Sequence, residues 1–300
     1  MEYKKLDDLV GLAGKKKQKK LVVAAAQDRQ ILIALKTAAE NKLIHPVIIG
    51  DKPGILRLCE DIGYKLEGID LYHEPDPETA CVLAVRLIKE GQAEIMMKGM
   101  VPTATLLRAI LDKELGLRKR DVLSHFALFE IPGYKKLIGI TDAAMNIQPD
   151  LQEKVYIIQN AVEVFHRLGM EKPRVAILAP VETVNPKIQA TIDAAALQTM
   201  GMRNQIRDCI IDGPLALDNA VSDEAARHKG IESAVAGNAD ILVVPDLNCG
   251  NILYKSLIFL AGGTAAAVVM GAEVPVVLTS RADSEKSKFM SIALAAAMDQ

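Results

Sequence analysis

A hydroxyl and a guanidinium follow a short apolar strand near the end of the chain. The segment VPVVLT leads directly into Ser280 and Arg281, and Asp283 or Ser284 can cap the helix predicted after them. A planar guanidinium binds phosphate through two parallel hydrogen bonds, and a serine hydroxyl with the N–H groups of a helix start can complete an oxyanion site. This spacing predicts a phosphate site. The simpler alternative is that Arg281 only pairs with a surface carboxylate.

A second cluster of this kind lies in the segment KGMVPTATLLR. Lys98 and Gly99 end a predicted strand, Thr103 is placed to cap the next helix, and Arg108 lies further along that helix. Because the N-terminus of a helix attracts anions, these residues predict an oxyanion-binding site. The alternative is that Thr103 is only a helix cap and Arg108 only a solvated helix residue.

A third strand exit combines a turn with polar residues in VVPDLNCGNILYK. The predicted strand breaks at a Pro-Asp pair, Gly250 permits close backbone approach or a positive φ, and Asp246, Asn251 and Lys255 offer polar groups toward a ligand. A Pro-Asp turn before a helix is often only a turn. No histidine is close to Cys249 in the sequence, which favours a small buried thiol over a nucleophile.

Regular alternation of β-branched runs and amphipathic stretches should position these clusters. KLVVAAA, HPVIIG and AEIMMKG read as strands with amphipathic helices between them. Asp28 can cap the first of these helices, and Pro53 can begin the next. Such alternation predicts an α/β protein with crossover connections and largely parallel sheets.

The rhythm changes between residues 122 and 142, where two strand-like runs join through Gly133 without room for a helix. This pattern predicts an antiparallel hairpin and a domain edge. The chain is therefore predicted to form two α/β domains, residues 1–143 with 285–300 and residues 144–284. Ligands of open α/β sheets bind beyond the carboxyl ends of the strands, so a cleft between the two domains is expected to hold the site.

Composition and charge argue against several classes of protein. The chain of 300 residues carries 36 Lys and Arg against 38 Asp and Glu, so no general positive field attracts nucleic acid or an acidic membrane. Four scattered cysteines without CxxC spacing argue against a zinc site and against a disulfide framework. The apolar runs are shorter than the roughly 18 residues of a membrane span. We expect a soluble cytoplasmic protein without a metal.

Several segments taken together resemble the phosphate acyltransferases, the family of phosphate acetyltransferases and phosphate butyryltransferases. They are KGMVPTATLLRAIL, GITDAAMNIQPDLQEK, PRVAILAP, IDGPLALDNAV, VAGNADILVVPDLNCGNILYK and PVVLTSRADS, in this order over nearly the whole chain. The compact length and the segments LSHFALFEIPG and TSRADSEKSK look more like the butyryl branch. The resemblance implies a two-domain fold similar to that of isocitrate and isopropylmalate dehydrogenases.

The resemblance also implies an activity, the reversible transfer of a short acyl group, butyryl favoured, from coenzyme A to inorganic phosphate. Acyl-CoA, phosphate and acyl phosphate are then the partners, coenzyme A is a substrate rather than a tightly bound cofactor, and a homodimer or higher homo-oligomer is expected. In that family the Ser-Arg pair lies in the interdomain cleft, which here means Ser280 and Arg281. An arginine that binds the phosphoryl group corresponds to Arg108, at a spacing one residue shorter than in the acetyl enzymes.

One departure from the family pattern concerns the group that handles the thiol proton. The acetyl enzymes carry an aspartate seven positions after the serine, where this chain has Ser287. We predict Asp283 as the substitute, because residues i and i+4 share one face of a helix.

The predicted chemistry is a direct attack in a ternary complex. A phosphate oxygen attacks the thioester carbonyl while Arg281 and Arg108 hold the phosphate and Ser280 donates a hydrogen bond. A covalent acyl-Ser280 intermediate is the rival route, disfavoured because no base is adjacent in the sequence. Three other functions stay open: a phosphate acetyltransferase that uses acetyl-CoA, an NAD- and metal-dependent dehydrogenase, for which no GxGxxG follows a strand, and a non-catalytic coenzyme A-binding module.

Overall fold

The structure is a computed structural model that describes residues 4–279 and 283–298 of the chain. It divides into two compact units. The first unit comprises the described residues within Leu6–Asp121 and Ala265–Asp299, and the second unit comprises Val122–Thr264 with Lys4 and Lys5. Both units pack helices on mostly parallel sheets, so the predicted α/β class is confirmed.

The first unit is built on six strands. Its elements are α1 (Asp7–Ala13), β1 (Lys19–Ala24), α2 (Arg29–Glu40), β2 (Ile44–Gly50), α3 (Lys52–Asp61), β3 (Asp70–His73), α4 (Pro77–Lys89), β4 (Ile95–Lys98), α5 (Thr103–Ile110), β10 (Thr264–Met270), β11 (Val276–Val277) and α11 (Glu285–Ala297). The strand order is β3-β2-β1-β4-β11-β10. All neighbouring pairs are parallel except β10 with β11.

The centre of this sheet explains the near-continuous apolar run of β1. Val22 pairs with Val47 of β2 on one side and with Met96 of β4 on the other. Leu21, Val22 and Val23 are fully buried, as expected for a parallel strand covered on both faces. Helices α1 and α2 pack against α11, so the last helix belongs to this unit.

The second unit begins with the predicted hairpin. Its elements are β5 (Ser124–Glu130), β6 (Ile138–Thr141), α6 (Leu151–Arg167), β7 (Arg174–Leu178), α7 (Gln189–Met202), β8 (Ile210–Leu215), α8 (Leu217–Val221), α9 (Asp223–His228), β9 (Ile241–Val243) and α10 (Leu247–Phe259). The strand order is β5-β6-β9-β7-β8. β5 and β6 are antiparallel, which confirms the hairpin, and the other pairs are parallel.

The boundaries of the two units differ from the predicted positions 143 and 284. The hairpin lies in the second unit because β6 hydrogen-bonds to β9, with Ile140 opposite Leu242. Strand β11 lies in the first unit because it pairs with β4, with Val276 opposite Met96. Both pairings join segments that are far apart in the sequence, so the local alternation of strands and helices did not indicate them.

The helix starts follow the sequence signals where a capping side chain is present. The carboxylate of Asp28 accepts a hydrogen bond from the Ile31 N–H at 2.9 Å, which confirms the predicted cap of α2. Pro53 lies in the first turn of α3. Four elements were not predicted from the sequence, namely α1, α8, α9 and β10. The last is an alanine-rich strand, TAAAVVM, whose composition is less typical of a strand.

Candidate functional site

A cleft of about 270 Å³ lies in the first unit where three strands end. From β1 the chain runs to β2 and β3 on one side, and it then returns to form β4 on the other side of β1. In open α/β sheets, ligands bind where the strand order reverses in this way. The lining consists of Asp28, Arg29, Gln30 and Ile31 after β1, Lys98, Gly99 and Met100 at the end of β4, Thr279 after β11, and Lys288 of α11.

Lys98 is the last residue of β4 and is only 9% exposed. Its amino group donates to the carbonyl oxygen of Val101 at 3.1 Å and to that of Gly99 at 3.3 Å. These bonds fix the loop that follows the strand. The structure thus places the predicted oxyanion ligand Lys98 at a strand exit, with its positive charge beside the cleft.

Gly99 lets this loop lie against the end of β1. A Cβ atom at this position would meet the carbonyl oxygen of Ala25 at 2.0 Å and that of Ala24 at 2.4 Å. The Gly99 N–H donates to the Ala24 carbonyl at 2.9 Å, and the Met100 N–H donates to the Ala25 carbonyl at 2.6 Å. Only glycine allows this approach, so the position of Lys98 depends on its neighbour.

Lys288 contributes a second buried amine to the cleft and was not predicted from the sequence. It lies in the first turns of α11 and is 3% exposed. Its amino group donates to Gln30 Oε1 at 3.0 Å and to the carbonyl oxygen of Asp283 at 2.5 Å. The available signal was its spacing: Lys288 is three and four residues before Ser291 and Ile292, on the buried face of α11.

The Ser280 and Arg281 pair lies outside the described residues. Its chain neighbour Thr279 is buried and lines the cleft. On the other side, Ser284 caps α11, and its hydroxyl accepts a hydrogen bond from the Ser287 N–H at 3.1 Å.

Asp283 precedes the helix rather than lying on it. Because Ser284 is the N-cap of α11, Asp283 and Ser287 are not related as two helical residues on one face. The predicted helical position of Asp283 was therefore wrong, because α11 begins two residues later, at Glu285. Asp283 is half-buried and follows Thr279, which lines the cleft, by four positions in the sequence.

Thr103 and Arg108 do not join Lys98 in the cleft. Thr103 is the first helical residue of α5, its N-cap is Pro102, and no side chain caps this helix, so the predicted capping role was wrong. The proline at the N-cap fixes an extended backbone and shifts the helix start by one residue. The Arg108 guanidinium lies 3.7 Å from Glu78 of α4, with 73% of its side chain exposed. It lines a separate cleft of about 180 Å³ between α4 and α5.

The third predicted cluster belongs to the second unit. The Asp246 carboxylate caps α10 by accepting a hydrogen bond from the Cys249 N–H at 2.9 Å. Gly250 permits close packing, because a Cβ atom there would lie 2.5 Å from the carbonyl oxygen of Asp142. Asn251 is half-buried and Lys255 exposed.

Cys249 is exposed, so the prediction of a buried thiol was wrong. It lies in the first turn of α10, where Gly250 rather than Cys249 is the buried residue. Loss of hydration and then the Asp246 carboxylate raise the pKa of this thiol above its usual value. A raised pKa keeps the sulfur protonated near pH 7, which is unfavourable for a nucleophile.

The loop after β6, in the segment GITDAAMN, has an internal structure that the sequence did not indicate. The Asp142 carboxylate accepts hydrogen bonds from the Ala144 and Met145 N–H groups at 2.9 and 3.0 Å. The Asn146 side chain donates to the same carboxylate at 2.5 Å and to the Leu123 carbonyl at 2.9 Å. Asp142 therefore organises the GITDAAMN segment through local bonds of the kind that Asp side chains form in turns.

The described part of the chain offers neither a cluster of metal ligands nor a helix suited to span a membrane. Within residues 4–279 and 283–298, no group of three or more His, Cys, Asp or Glu side chains is arranged to hold a metal ion. No helix of that part is both long and apolar enough to cross a membrane.

Comparisons with known proteins extend over nearly the whole sequence. A family model described as phosphate acetyl/butaryl transferase matches residues 74–296. A probable phosphate butyryltransferase of Bacillus subtilis (strain 168) is 50% identical over 292 residues, which cover 97% of each chain. A phosphate acetyltransferase of Thermotoga maritima is 44% identical over 291 residues, covering 97% of this chain and 98% of that protein. The crystal structure of a branched-chain phosphotransacylase from Enterococcus faecalis V583 superposes with a TM-score of 0.83 at 34% identity, covering 93% of this chain and 98% of that one.

Proposed function

This chain belongs to the phosphate acetyl/butaryl transferase family, as the resemblance predicted, and we propose that it transfers a short acyl group reversibly from coenzyme A to inorganic phosphate, with butyryl-CoA as the preferred donor. The full-length similarity to a probable phosphate butyryltransferase carries the proposal. The cleft of the first unit supports it, because Lys98 lines the cleft together with Thr279, which directly precedes Ser280 and Arg281.

The proposed reaction is a direct transfer in a ternary complex. A phosphate oxygen attacks the thioester carbonyl, the C–O bond of the acyl phosphate forms, and the C–S bond breaks to release the coenzyme A thiolate. Arg281 and Lys98 would hold the phosphate in line, and Ser280 would donate a hydrogen bond to the developing oxyanion. Such stabilisation of developing charge is often the largest contribution to catalysis.

Two parts of this mechanism are separate predictions. Asp283 is proposed to handle the proton of the thiol, because it is the carboxylate nearest in sequence to the Ser-Arg pair. Arg108 is proposed as a further phosphate ligand on the family resemblance alone, since its described contacts are with Glu78. Asp246, Asn251 and Lys255 are proposed to contact the acyl-CoA substrate.

The proposal includes a cytoplasmic homo-oligomer without a tightly bound cofactor. Cys59, Cys81, Cys209 and Cys249 are all free thiols, which fits a reducing compartment.

In α10, only Gly250 is fully buried, although the helix is rich in large apolar residues. Ile252 and Phe259 are 67% and 71% exposed. Exposed apolar surface of this kind favours contact with a second copy of the chain.

The activity is tested by the release of free thiol from butyryl-CoA in the presence of phosphate, followed with a thiol-reactive dye. We expect Arg281→Ala to lose nearly all of the rate. Arg57→Ala, which removes an exposed arginine of α3, is the matched control and should keep it. Release of thiol at the full rate by Arg281→Ala would refute the proposed site.

A panel of acyl-CoA donors decides the acyl group. The ratio kcat/KM for butyryl-CoA should exceed that for acetyl-CoA, because substrates are discriminated by the relative stabilisation of their transition states. A higher value for acetyl-CoA would favour the acetyltransferase alternative, which the 44% identity to the Thermotoga maritima protein keeps open. Thermal stabilisation by coenzyme A without any release of thiol would instead favour a binding module.

A further inference from the structure

Lys288 holds a buried positive charge that has no role in the mechanism proposed above. The residue lies on α11 and is 3% exposed, whereas Lys286 on the same helix is exposed. The Lys288 amino group donates to the side-chain oxygen of Gln30, at 3.0 Å, and to the carbonyl oxygen of Asp283, at 2.5 Å. Both partners are neutral oxygen atoms.

A lysine in this environment is costly unless something neutralises it. Within residues 4–279 and 283–298, no carboxylate forms an ion pair with Lys288. Buried charges in proteins are usually paired with an opposite charge. An ammonium carries three N–H donors, and two of them are accounted for by Gln30 and Asp283. One donor remains for a ligand in the cleft that Lys288 lines.

The charges around this cleft favour an anion. Lys98, Arg29 and Lys288 are cationic, and Asp28 is the one acidic residue in the described lining. The Asp28 carboxylate accepts the hydrogen bond from the Ile31 N–H, so part of its charge is stabilised at the start of α2. That helix start contributes its own partial positive charge. The volume of about 270 Å³ is sufficient for a phosphate with several waters, since one water occupies roughly 30 Å³.

We propose that the Lys288 ammonium binds the phosphoryl group of inorganic phosphate, and of acyl phosphate in the reverse reaction, together with Lys98. By donating to the Asp283 carbonyl, the same amine also fixes the chain directly after Ser280, Arg281 and Ala282. In the sequence, Lys288 directly follows Ser287, the position where the acetyl enzymes carry an aspartate. This inference rests on the proposed function for the identity of the anion.

Steady-state kinetics of three variants test the assignment. Lys288→Met removes the charge, Lys288→Gln keeps N–H donors without the charge, and Lys286→Met is the matched control on the exposed face of α11. We expect both Lys288 variants to raise KM for phosphate about tenfold or more, as loss of a charge-assisted hydrogen bond predicts. KM for butyryl-CoA should change less than twofold, and Lys286→Met should behave as the wild type.

The values of KM for phosphate and of KM for the coenzyme A substrate together distinguish the possible roles of Lys288. If Lys288 only joined Gln30 of α2 to the Asp283 carbonyl through hydrogen bonds, Lys288→Gln would keep the wild-type KM for phosphate. If the anion were a phosphate group of coenzyme A, KM for coenzyme A would rise instead. Either result would overturn the assignment.

A measurement without turnover keeps this inference separate from the proposed activity. Millimolar phosphate, added without any acyl-CoA, should raise Tm of the wild type and of Lys286→Met and should leave both Lys288 variants unchanged. If thiol is never released but this shift depends on Lys288, the proposed activity fails and the anion site stands. If thiol is released while phosphate shifts Tm of all variants equally, the anion site fails. Lys288→Arg provides a charged variant that should regain part of the shift.

Discussion

The backbone of Gly99 passes so close to Ala25 that a side-chain carbon on Gly99 would lie 2.0 Å from the Ala25 carbonyl oxygen. The contact joins the end of β4 to the end of β1, and it involves backbone atoms that cannot turn aside. It therefore fixes the edge of the cleft where Lys98 and Lys288 lie.

We expect Gly99→Ala to destabilise the protein and to reduce its activity. The added methyl group must displace either β1 or the loop after β4, and overpacking of this kind costs about 1–3 kcal/mol. Gly11→Ala is the control, because a Cβ atom there meets nothing within 4 Å in helix α1. This control should be neutral or stabilise the helix by about 0.5–1 kcal/mol. Urea unfolding measures both changes, and a Gly99→Ala protein as stable as Gly11→Ala would contradict the close contact.

Initial-rate kinetics should show a ternary complex. Because the proposed transfer is direct, double-reciprocal plots with varied butyryl-CoA and phosphate are expected to intersect. Parallel lines would indicate a ping-pong mechanism and an acyl-enzyme at Ser280. Ser280→Ala should then be inactive, whereas in direct transfer it is expected to keep a residual rate, lowered about 10²–10³-fold by loss of one hydrogen-bond donor.

Replacement of Asp240 should destabilise the second unit. Its carboxylate lies 2.5 Å from the Lys136 amino group and 2.9 Å from Arg174 Nε, and the Lys136 and Asp240 side chains are each 3% exposed. Asp240→Asn leaves buried positive charge without its partner, which typically costs about 3–5 kcal/mol. Glu90→Gln, in the exposed pair with Arg86, should cost less than about 1 kcal/mol. Chemical unfolding at pH 7 compares the two.

The same carboxylate gives a pH dependence with a definite sign. Burial alone would raise the pKa of Asp240, but the hydrogen bonds from Arg174 and Lys136 outweigh it and lower the pKa. The contribution of Asp240 is therefore fully present above its unfolded pKa of about 3.9 and is lost as the pH falls through the lower folded value. The difference in unfolding free energy between wild type and Asp240→Asn should be constant from pH 7 to about pH 5 and should shrink below about pH 4. A difference that grows with acidity would contradict this assignment.

Cys249 should prove dispensable for activity. Because its pKa is raised, the exposed thiol is mostly protonated near pH 7 and should react slowly with iodoacetamide. Cys249→Ser is expected to retain at least half of the wild-type kcat. Inactivation of this variant, with an unchanged Tm, would show that the thiol takes part in the reaction.

Arg108→Ala separates a functional from a structural role. Its ion pair with Glu78 is exposed and 3.7 Å long, so its loss should change stability by less than about 1 kcal/mol. If the family resemblance transfers to this residue, KM for phosphate will rise in Arg108→Ala and stay unchanged in the partner variant Glu78→Gln. Unchanged kinetics in both variants would remove Arg108 from the site.

Local signals in the sequence determined much of this protein. Alternating strands and helices established the α/β class, Asp28 and Pro53 marked helix starts, and the short connection at Gly133 indicated the hairpin, because each of these depends on neighbouring residues alone. The ordered motifs likewise identified the family, since six segments in fixed order are specific even when each is short.

Only the tertiary structure decided which strands are neighbours and which side chains share the cleft. The pairings of β6 with β9 and of β11 with β4 set the division into units, and they join residues far apart in the sequence. Lys288 entered the site in the same way: its spacing to Ser291 and Ile292 indicates only that it shares their face of α11, and the packing of α11 against α2 is what buries its amine beside Gln30. Burial and charge pairing are properties of the folded arrangement, so a residue whose role depends on them is found only when the fold is known.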